Sequence, residues 1–360
     1  MRILPLFPAG VVGSIPRPQW VQELLNPHSV LSLGEKKWQA SMDAAVASVV
    51  AMQETAGLDM ITDGEWRRSS YIGIVDDLFN GFEKGLKIAP YWSTVTQKLR
   101  RKNTAPIQEE VAFLRAHTDR MIKVCLPSPY LLGRRMWDVE FSSNAYPTRE
   151  SFMEDLIPYL RDELIAARDA GADIVQFDDT SLCQLVDERK QAKYSDLDKE
   201  IGLCTDLLNA VIEGITDVQT AIHLCRGNTN RKWGADGGYA PIVPALKTLN
   251  VDQYVMEFAM PAAGSIDMLA ELPSDRTVGL GCVDCRNIHI DTPEEIVARV
   301  RAALQYLKPE QIMLNPDCGF APGSSFDIPL DEVYQKLKNE AVAAQILRDE
   351  VVQGEVQNGR

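Results

Sequence analysis

Short apolar runs alternate with longer segments of helical periodicity along most of the chain. Residues 36–56 have the helical pattern, Gly57 follows them, and the apolar run 58–62 comes next. A glycine just past a helix supplies the left-handed cap that ends it. Because strand and helix patterns alternate in this way, the sequence predicts an α/β fold with a parallel sheet.

The same unit recurs along the chain and predicts eight strands, a number that closes a (β/α)8 TIM barrel. We expect a single catalytic barrel over residues 1–360, because no linker rich in Gly, Ser or Pro divides the chain. Residues 71–120 exceed the length of one crossover and predict a long excursion over the barrel mouth. The predicted strands lie near residues 9–13, 58–62, 121–126, 173–177, 219–224, 252–257, 277–282 and 311–315.

Composition narrows the class of protein and its partners. The chain has 360 residues, of which 45% are hydrophobic and 24% are charged, so it can bury a large core. A net charge of -14 argues against nucleic acid as a partner. No apolar run approaches the ~20 residues of a membrane-spanning helix, so we expect no membrane partner. Seven irregularly spaced cysteines do not form a disulfide framework and predict a cytoplasmic protein.

Four residues at predicted strand ends form a candidate metal site. His223 and Cys225 are two positions apart on one strand, so their side chains face the same way. Glu257 and Cys318 end two other strands. Two thiolates, an imidazole and a carboxylate suit Zn²⁺, which prefers four tetrahedral ligands of this kind. Each residue alone could be structural, and a zinc bound by all four could be structural too.

The pair Cys282 and Cys285 has the spacing of a zinc half-site or a redox pair. No second pair of this kind completes a site and no thioredoxin-like pattern surrounds it, so we do not interpret the two cysteines as metal ligands or as a redox pair. Other strand ends carry Gly13, Glu65 and Asp178. Arginine and amide side chains nearby could bind a carboxylate, sulfonate or phosphate, or could instead pair with neighbouring acids. These candidates for an anion or donor site are Arg67, Arg68, Arg226, Asn228 and Arg286.

The motifs from residues 12–18 through 315–319 resemble the cobalamin-independent methionine synthase family. The likeness is to the C-terminal catalytic barrel of the long enzymes and to the short single-barrel members. It implies that zinc is bound by His223, Cys225, Glu257 and Cys318. It further implies that Gly13 and Ser14 hold the carboxylate of the amino acid substrate, and that Glu65 and Asp178 bind its amino group.

The activity that the resemblance implies is methyl transfer to the sulfur of homocysteine, which gives methionine through a zinc-bound thiolate. The long folate-dependent enzymes place a histidine after the seventh strand as proton donor, where this chain has Arg286. Arginine does not deprotonate in proteins and cannot act as a general acid. We therefore expect a methylcobamide or a corrinoid protein as donor. With methyltetrahydrofolate as donor, His289 is the nearby histidine that could substitute as the acid.

Three other functions stay open. An enzyme similar to epoxyalkane:coenzyme M transferases would use coenzyme M as the thiol and an epoxide as the alkyl donor. A lyase similar to uroporphyrinogen decarboxylase would lack this metal set. A non-catalytic zinc-binding protein would hold the metal without admitting a thiol.

Overall fold

Seven parallel strands form one curled sheet in the computed structural model, which describes residues 5–86, 92–229, 231–321 and 328–354. The strand order is β1-β4-β5-β6-β9-β10-β11, with β2–β3 and β7–β8 as separate antiparallel pairs. This confirms the predicted α/β fold with a parallel sheet. The strands are β1 (Met60–Ile61), β2 (Phe79–Lys84), β3 (Ser93–Arg101), β4 (Met121–Pro127), β5 (Ile174–Asp178), β6 (Gln219–Leu224), β7 (Asn228–Thr229), β8 (Lys232–Trp233), β9 (Gln253–Glu257), β10 (Thr277–Val283) and β11 (Ile312–Pro316).

The predicted first strand, residues 9–13, forms two single parallel bridges and not a regular strand. Ala9 pairs with Leu314 of β11, and Gly10 pairs with Met60 of β1. A Cβ at Gly10 would lie 2.7 Å from the side chain of Met60, so only glycine allows this close approach. The segment therefore contacts both edge strands of the sheet.

Helices follow the strands and cover the outer face of the sheet. α8 packs against α5, α6 and α11, while α14 packs against α3 and α13. The helices are α1 (Gln19–Leu24), α2 (Pro27–Leu33), α3 (Glu35–Ala56), α4 (Ile74–Leu78), α5 (Pro106–His117), α6 (Pro129–Met136), α7 (Val139–Ser142), α8 (Arg149–Ala170), α9 (Thr180–Gln184), α10 (Glu188–Gln191), α11 (Leu197–Ile212), α12 (Val243–Leu246), α13 (Pro293–Ala303) and α14 (Leu330–Gln353). Short 3-10 turns occupy Ala240–Ile242, Pro261–Ala263, Ile266–Glu271 and Pro309–Gln311.

Local signals in the sequence explain the helix ends. α3 and α8 both end at a glycine with left-handed backbone, Gly57 with φ 95° and Gly171 with φ 100°. α13 begins with a capping box formed by Thr292 and Glu295. No helix among the described residues has the length and apolar character required to cross a bilayer.

The predicted excursion near residues 71–120 contains α4, the β2–β3 pair and α5. Arg101 at the end of β3 forms ion pairs with Asp162 and Glu163 of α8. The excursion is therefore attached to the helical layer through the middle of α8.

The inner face of the curled sheet has an apolar base and a polar end. One buried cluster draws a side chain from each of seven segments: Val12, Met60, Met121, Ile174, Ala221, Val255 and Met313. Side chains two residues further along a strand point the same way. On β4, β5 and β6 these positions lead to Cys125, Asp178 and His223 at the carboxyl ends. The backbone therefore gathers polar side chains at one edge of the sheet, where parallel α/β folds bind ligands.

Candidate metal centre

Three buried side chains, His223, Cys225 and Cys318, lie together at the carboxyl ends of β6 and β11. One ligand atom from each lies within 4.8 Å of the others. His223 is the second-last residue of β6, Cys225 follows the strand, and Cys318 lies two residues beyond β11. The structure thus brings together three of the four residues that the sequence predicted as metal ligands.

Asp178 at the end of β5 orients the imidazole of His223. The Nδ1 atom of His223 lies 2.9 Å from Oδ1 of Asp178. The other ring nitrogen, Nε2, is buried and has no hydrogen-bond partner among the described residues. Burial opposes protonation, but Cys225 and the contact with Asp178 outweigh it and raise the pKa of His223 to about 10. A carboxylate on one nitrogen and a free second nitrogen is the usual arrangement of a metal-binding histidine.

The two thiols differ in their readiness to ionise. A hydrogen bond from Cys318 lowers the pKa of Cys225 well below its usual value, and His223 acts in the same direction. The same hydrogen bond raises the pKa of Cys318 well above its usual value. Cys225 is therefore the thiol of the pair that ionises more readily, and the thiolate is the form that binds metal ions.

Glu257, the fourth predicted ligand, is not part of this group of three. Its Oε2 accepts a hydrogen bond of 3.0 Å from Arg226, and its Oε1 accepts one from Arg286. All three side chains are buried, so the two guanidinium groups balance a charge that burial would otherwise make costly. Burial raises the pKa of Glu257, and repulsion from Cys225 adds to the shift, while Arg286 and Arg226 oppose it.

A second buried group, Glu65, Cys125 and Asp178, also has its ligand atoms within 4.8 Å of one another. Burial raises the pKa of Glu65 to about 7, and Asp178 adds to the shift while Arg68 opposes it. Oε2 of Glu65 is buried without a hydrogen-bond partner in the described part of the chain. The two predicted amine-binding carboxylates are therefore adjacent, and one oxygen is available for a donor.

Gly13 and Ser14 lie against both groups. A Cβ at Gly13 would be 2.8 Å from Oε1 of Glu65 and 3.0 Å from Sγ of Cys125. Oγ of Ser14 accepts a hydrogen bond of 3.2 Å from the backbone of Ala321, in the segment that follows Cys318. The N-terminal segment thus lines the space between the carboxylate pair and the metal ligands.

The arginines predicted as an anion site are all paired with acids, which was the alternative expectation. Arg67 lies 2.6 Å from Asp43, and Arg68 lies 2.7 Å from Glu110. Arg226 and Arg286 share Glu257 as described above. A buried guanidinium requires a countercharge, and each of these side chains has found one in the fold. Asn228 is the predicted anion-site residue that carries no charge. Its Nδ2 donates a hydrogen bond to the carbonyl of Gly319, and its Oδ1 is buried without a partner among the described residues.

His289 lies outside the metal group. Its side chain is exposed and its Nε2 lies 3.0 Å from Glu295 in the first turn of α13. Cys282 and Cys285 are buried, and neither belongs to a group of potential metal ligands among the described residues. The cysteine pair therefore takes no part in the groups of potential metal ligands that the described residues form.

Gln176 contributes to the site but was not predicted. Its Nε2 donates to Oδ1 of Asp178 at 2.9 Å and approaches Sγ of Cys125 at 3.5 Å. Gln176 is two residues before Asp178 on β5, so it shares the inward face. A buried polar residue at that spacing was the signal that could have identified it.

Residues 7–345 match the family model described as the catalytic domain of cobalamin-independent synthase. The chain belongs to this family. The methionine synthase of Sulfurisphaera tokodaii is 28% identical over 356 residues, which cover 97% of this chain and 94% of that protein. The methionine synthase of Pyrococcus abyssi is 29% identical over 359 residues, covering 97% and 95%.

A solved structure has the same fold. The B12-independent methionine synthase from Shewanella sp. W3-18-1, in complex with selenomethionine, superimposes with a TM-score of 0.79. It is 24% identical, and the match covers 97% of this chain and 99% of that one. The membership that the motifs predicted is thereby confirmed.

Proposed function

We propose that this protein is a zinc-dependent S-methyltransferase that methylates the sulfur of homocysteine to give methionine. One observation supports the proposal above others: His223, Cys225 and Cys318 converge within 4.8 Å, and the buried Nε2 of His223 has no partner among the described residues. An imidazole nitrogen and two sulfurs are the donor set that zinc favours over magnesium or calcium. The family membership and the named relatives point to the same chemistry.

Zinc would be held by His223, Cys225 and Cys318, with Glu257 as the proposed fourth ligand. When bound, zinc supplies a Lewis acid that keeps a substrate thiol ionised near pH 7. Arg226 and Arg286 hold the carboxylate of Glu257 from two sides. Because both arginines pair with Glu257, its carboxylate would not be an unpaired buried charge if a substrate thiol took its place as a ligand. This makes it the ligand most suited to exchange with an incoming thiol.

The remaining residues would recognise the amino acid part of the substrate. Glu65 and Asp178 form an adjacent carboxylate pair that suits an ammonium group. Gly13 leaves the space beside Glu65, and Ser14 offers its hydroxyl and nearby backbone to the substrate carboxylate. This clamp would place the thiol toward Cys225 and Cys318, where alignment for methyl transfer lowers the barrier.

The bridges at Ala9 and Gly10 support a complete (β/α)8 barrel, because they contact both edge strands of the sheet. We propose that this segment acts as the eighth strand of one catalytic barrel in a cytoplasmic protein. The excursion near residues 71–120 would cover its mouth.

The carboxylate pair of Glu65 and Asp178 also distinguishes homocysteine from the alternative thiol, coenzyme M. Coenzyme M carries a sulfonate and no amine, so Glu65 and Asp178 would repel it, and the named relatives do not support an epoxide-opening enzyme or a decarboxylase. The test is thiol alkylation by the zinc-loaded protein with homocysteine or coenzyme M, using a methylcobamide as donor. We expect methionine to form, and we expect coenzyme M to react far more slowly. A preference for coenzyme M would contradict the proposal.

A further inference from the structure

Two arginines beside the proposed site differ from those described above. Arg134 and Arg135 occupy the last turn of α6, the helix that follows β4. The guanidinium of Arg134 lies 5.0 Å from the ring centre of Tyr194, and that of Arg135 lies 4.2 Å from the ring centre of Trp92. The rings hold the planar groups in place through cation–π contacts and leave their N–H edges available.

Within the described part of the chain, neither arginine pairs with an acidic side chain. Among the described residues, no ion pair or side-chain hydrogen bond involves Arg134 or Arg135. Nη1 of Arg134 and Nε of Arg135 are buried and lack a hydrogen-bond partner there. Two acids on this side of the fold pair with other cations. Asp187 pairs with Arg189 at 2.6 Å, and Glu200 pairs with Arg149 and accepts from Tyr130.

Two lysines add to the same cationic group. Lys190 of α10 is half-buried, and its Nζ donates a hydrogen bond of 3.0 Å to the side-chain oxygen of Gln184. Burial lowers the pKa of Lys190, and Arg135, Lys193 and Arg134 lower it further, while Asp187 opposes them. Lys190 therefore lies near three other cations, on a chain whose net charge is -14. A bound anion would offset the unfavourable electrostatic energy of placing these like charges close together.

The cationic group lies next to the proposed metal centre. α6 begins two residues after the carboxyl end of β4, and it packs against α9, the helix that begins directly after Asp178 and Asp179. The two arginines therefore lie on a helix that begins at the same edge of the sheet as the proposed site.

We propose that Arg134, Arg135, Lys190 and Lys193 bind an anionic phosphate or carboxylate tail of the methyl donor. Guanidinium groups match both anions with two parallel hydrogen bonds, and the lysines add charge without a geometric requirement. The identity of the bound group as part of the donor rests on the proposed methyl transfer. The anion site itself does not.

A binding experiment tests the site without any turnover. Tripolyphosphate and tri-L-glutamate are titrated by calorimetry into the zinc-loaded wild-type protein and into the double variant Arg134→Gln/Arg135→Gln. We expect at least one of the two anions to bind wild type and to bind the variant at least about tenfold more weakly, since each arginine contributes charge-assisted hydrogen bonds. The double variant Arg168→Gln/Arg301→Gln removes the same charge from exposed ion pairs on other helices and should bind like wild type. Equal binding by wild type and the Arg134/Arg135 variant, or no binding to wild type, would overturn the proposal.

Kinetics then identify the source of the anion. Methylcobalamin carries a phosphodiester that methylcobinamide lacks, and methyltetrahydrofolate can carry three glutamates or one. For whichever donor supports turnover, the Arg134→Gln/Arg135→Gln variant should raise KM at least about tenfold for the form with the longer anionic tail, with kcat preserved. The Arg134→Lys/Arg135→Lys variant should recover part of that loss. A KM increase of equal size for both forms of a donor would contradict tail recognition. If no donor methylates homocysteine while the anions still bind through Arg134 and Arg135, the proposed methyl transfer fails and the anion site stands.

Discussion

Removing the charge of Asp178 should weaken zinc binding without changing a single proposed ligand. Oδ1 of Asp178 accepts hydrogen bonds of 2.9 Å from both His223 and Gln176. Asparagine can keep both contacts through its own oxygen, so Asp178→Asn removes the negative charge and preserves the geometry. Asp178→Ala removes the contact as well.

Loss of a partner that orients a metal-binding histidine typically lowers metal affinity by about 10–100-fold, or about 1.4–2.7 kcal/mol. We assign the lower value to Asp178→Asn, because the imidazole stays oriented, and the upper value to Asp178→Ala. Zinc affinity is measured by competition with a chromophoric chelator at fixed pH and salt. Circular dichroism and thermal unfolding confirm that each variant remains folded.

Glu65→Gln is the matched control, because Glu65 belongs to the same carboxylate pair but has no contact with His223. It should bind zinc like wild type. If Asp178→Ala holds zinc as tightly as wild type, then Asp178 does not support a metal-binding histidine and the proposed role of His223 is wrong.

Three further predictions concern the ligands, the substrate and the donor. Cys225→Ser or Cys318→Ser should lose most of the bound zinc, measured by elemental analysis, while the far-ultraviolet circular dichroism stays unchanged. The pKa of Glu65 is about 7, and only the ionised carboxylate pairs with an ammonium group. Affinity for L-methionine, measured by calorimetry, should therefore fall about tenfold per pH unit below pH 7 in wild type and should show no such fall in Glu65→Gln. The same variant should bind homocysteine about 2–5 kcal/mol more weakly than wild type. Because Arg286 cannot act as an acid, homocysteine should be methylated by a methylcobamide and little by methyltetrahydrofolate, and fast folate turnover abolished by His289→Ala would contradict this reasoning.

Most helices and strands could be predicted from the sequence, because the residues that determine them act over short distances along the chain. Helix-capping residues such as Gly57 and Thr292 act within one turn, and strand-length apolar runs mark the buried strands. The segment at residues 9–13 was harder to predict. Its backbone makes only isolated bridges, which depend on the close approach of Gly10 to a strand that is distant in sequence.

The candidate site also has a part that could be predicted from the sequence and a part that could not. His223 and Cys225 could be paired from their spacing, and Cys318 could be added because parallel strand ends meet at one edge. The charge balance could not be predicted, because it depends on which acids the fold places near each cation. Arg226 and Arg286 followed predicted strand ends and proved to be paired with Glu257, whereas Arg134 lies within a helix and has no acidic partner among the described residues.

The central claim is a metal centre of His223, Cys225 and Cys318 that accepts the thiol of homocysteine. X-ray absorption at the zinc edge of the zinc-loaded protein tests it most directly. We predict two sulfur ligands near 2.3 Å in the free protein, with nitrogen or oxygen completing a four-coordinate shell, and about three sulfur ligands after homocysteine is added. A sulfur count that does not change with homocysteine, or a zinc shell without sulfur, would contradict the account.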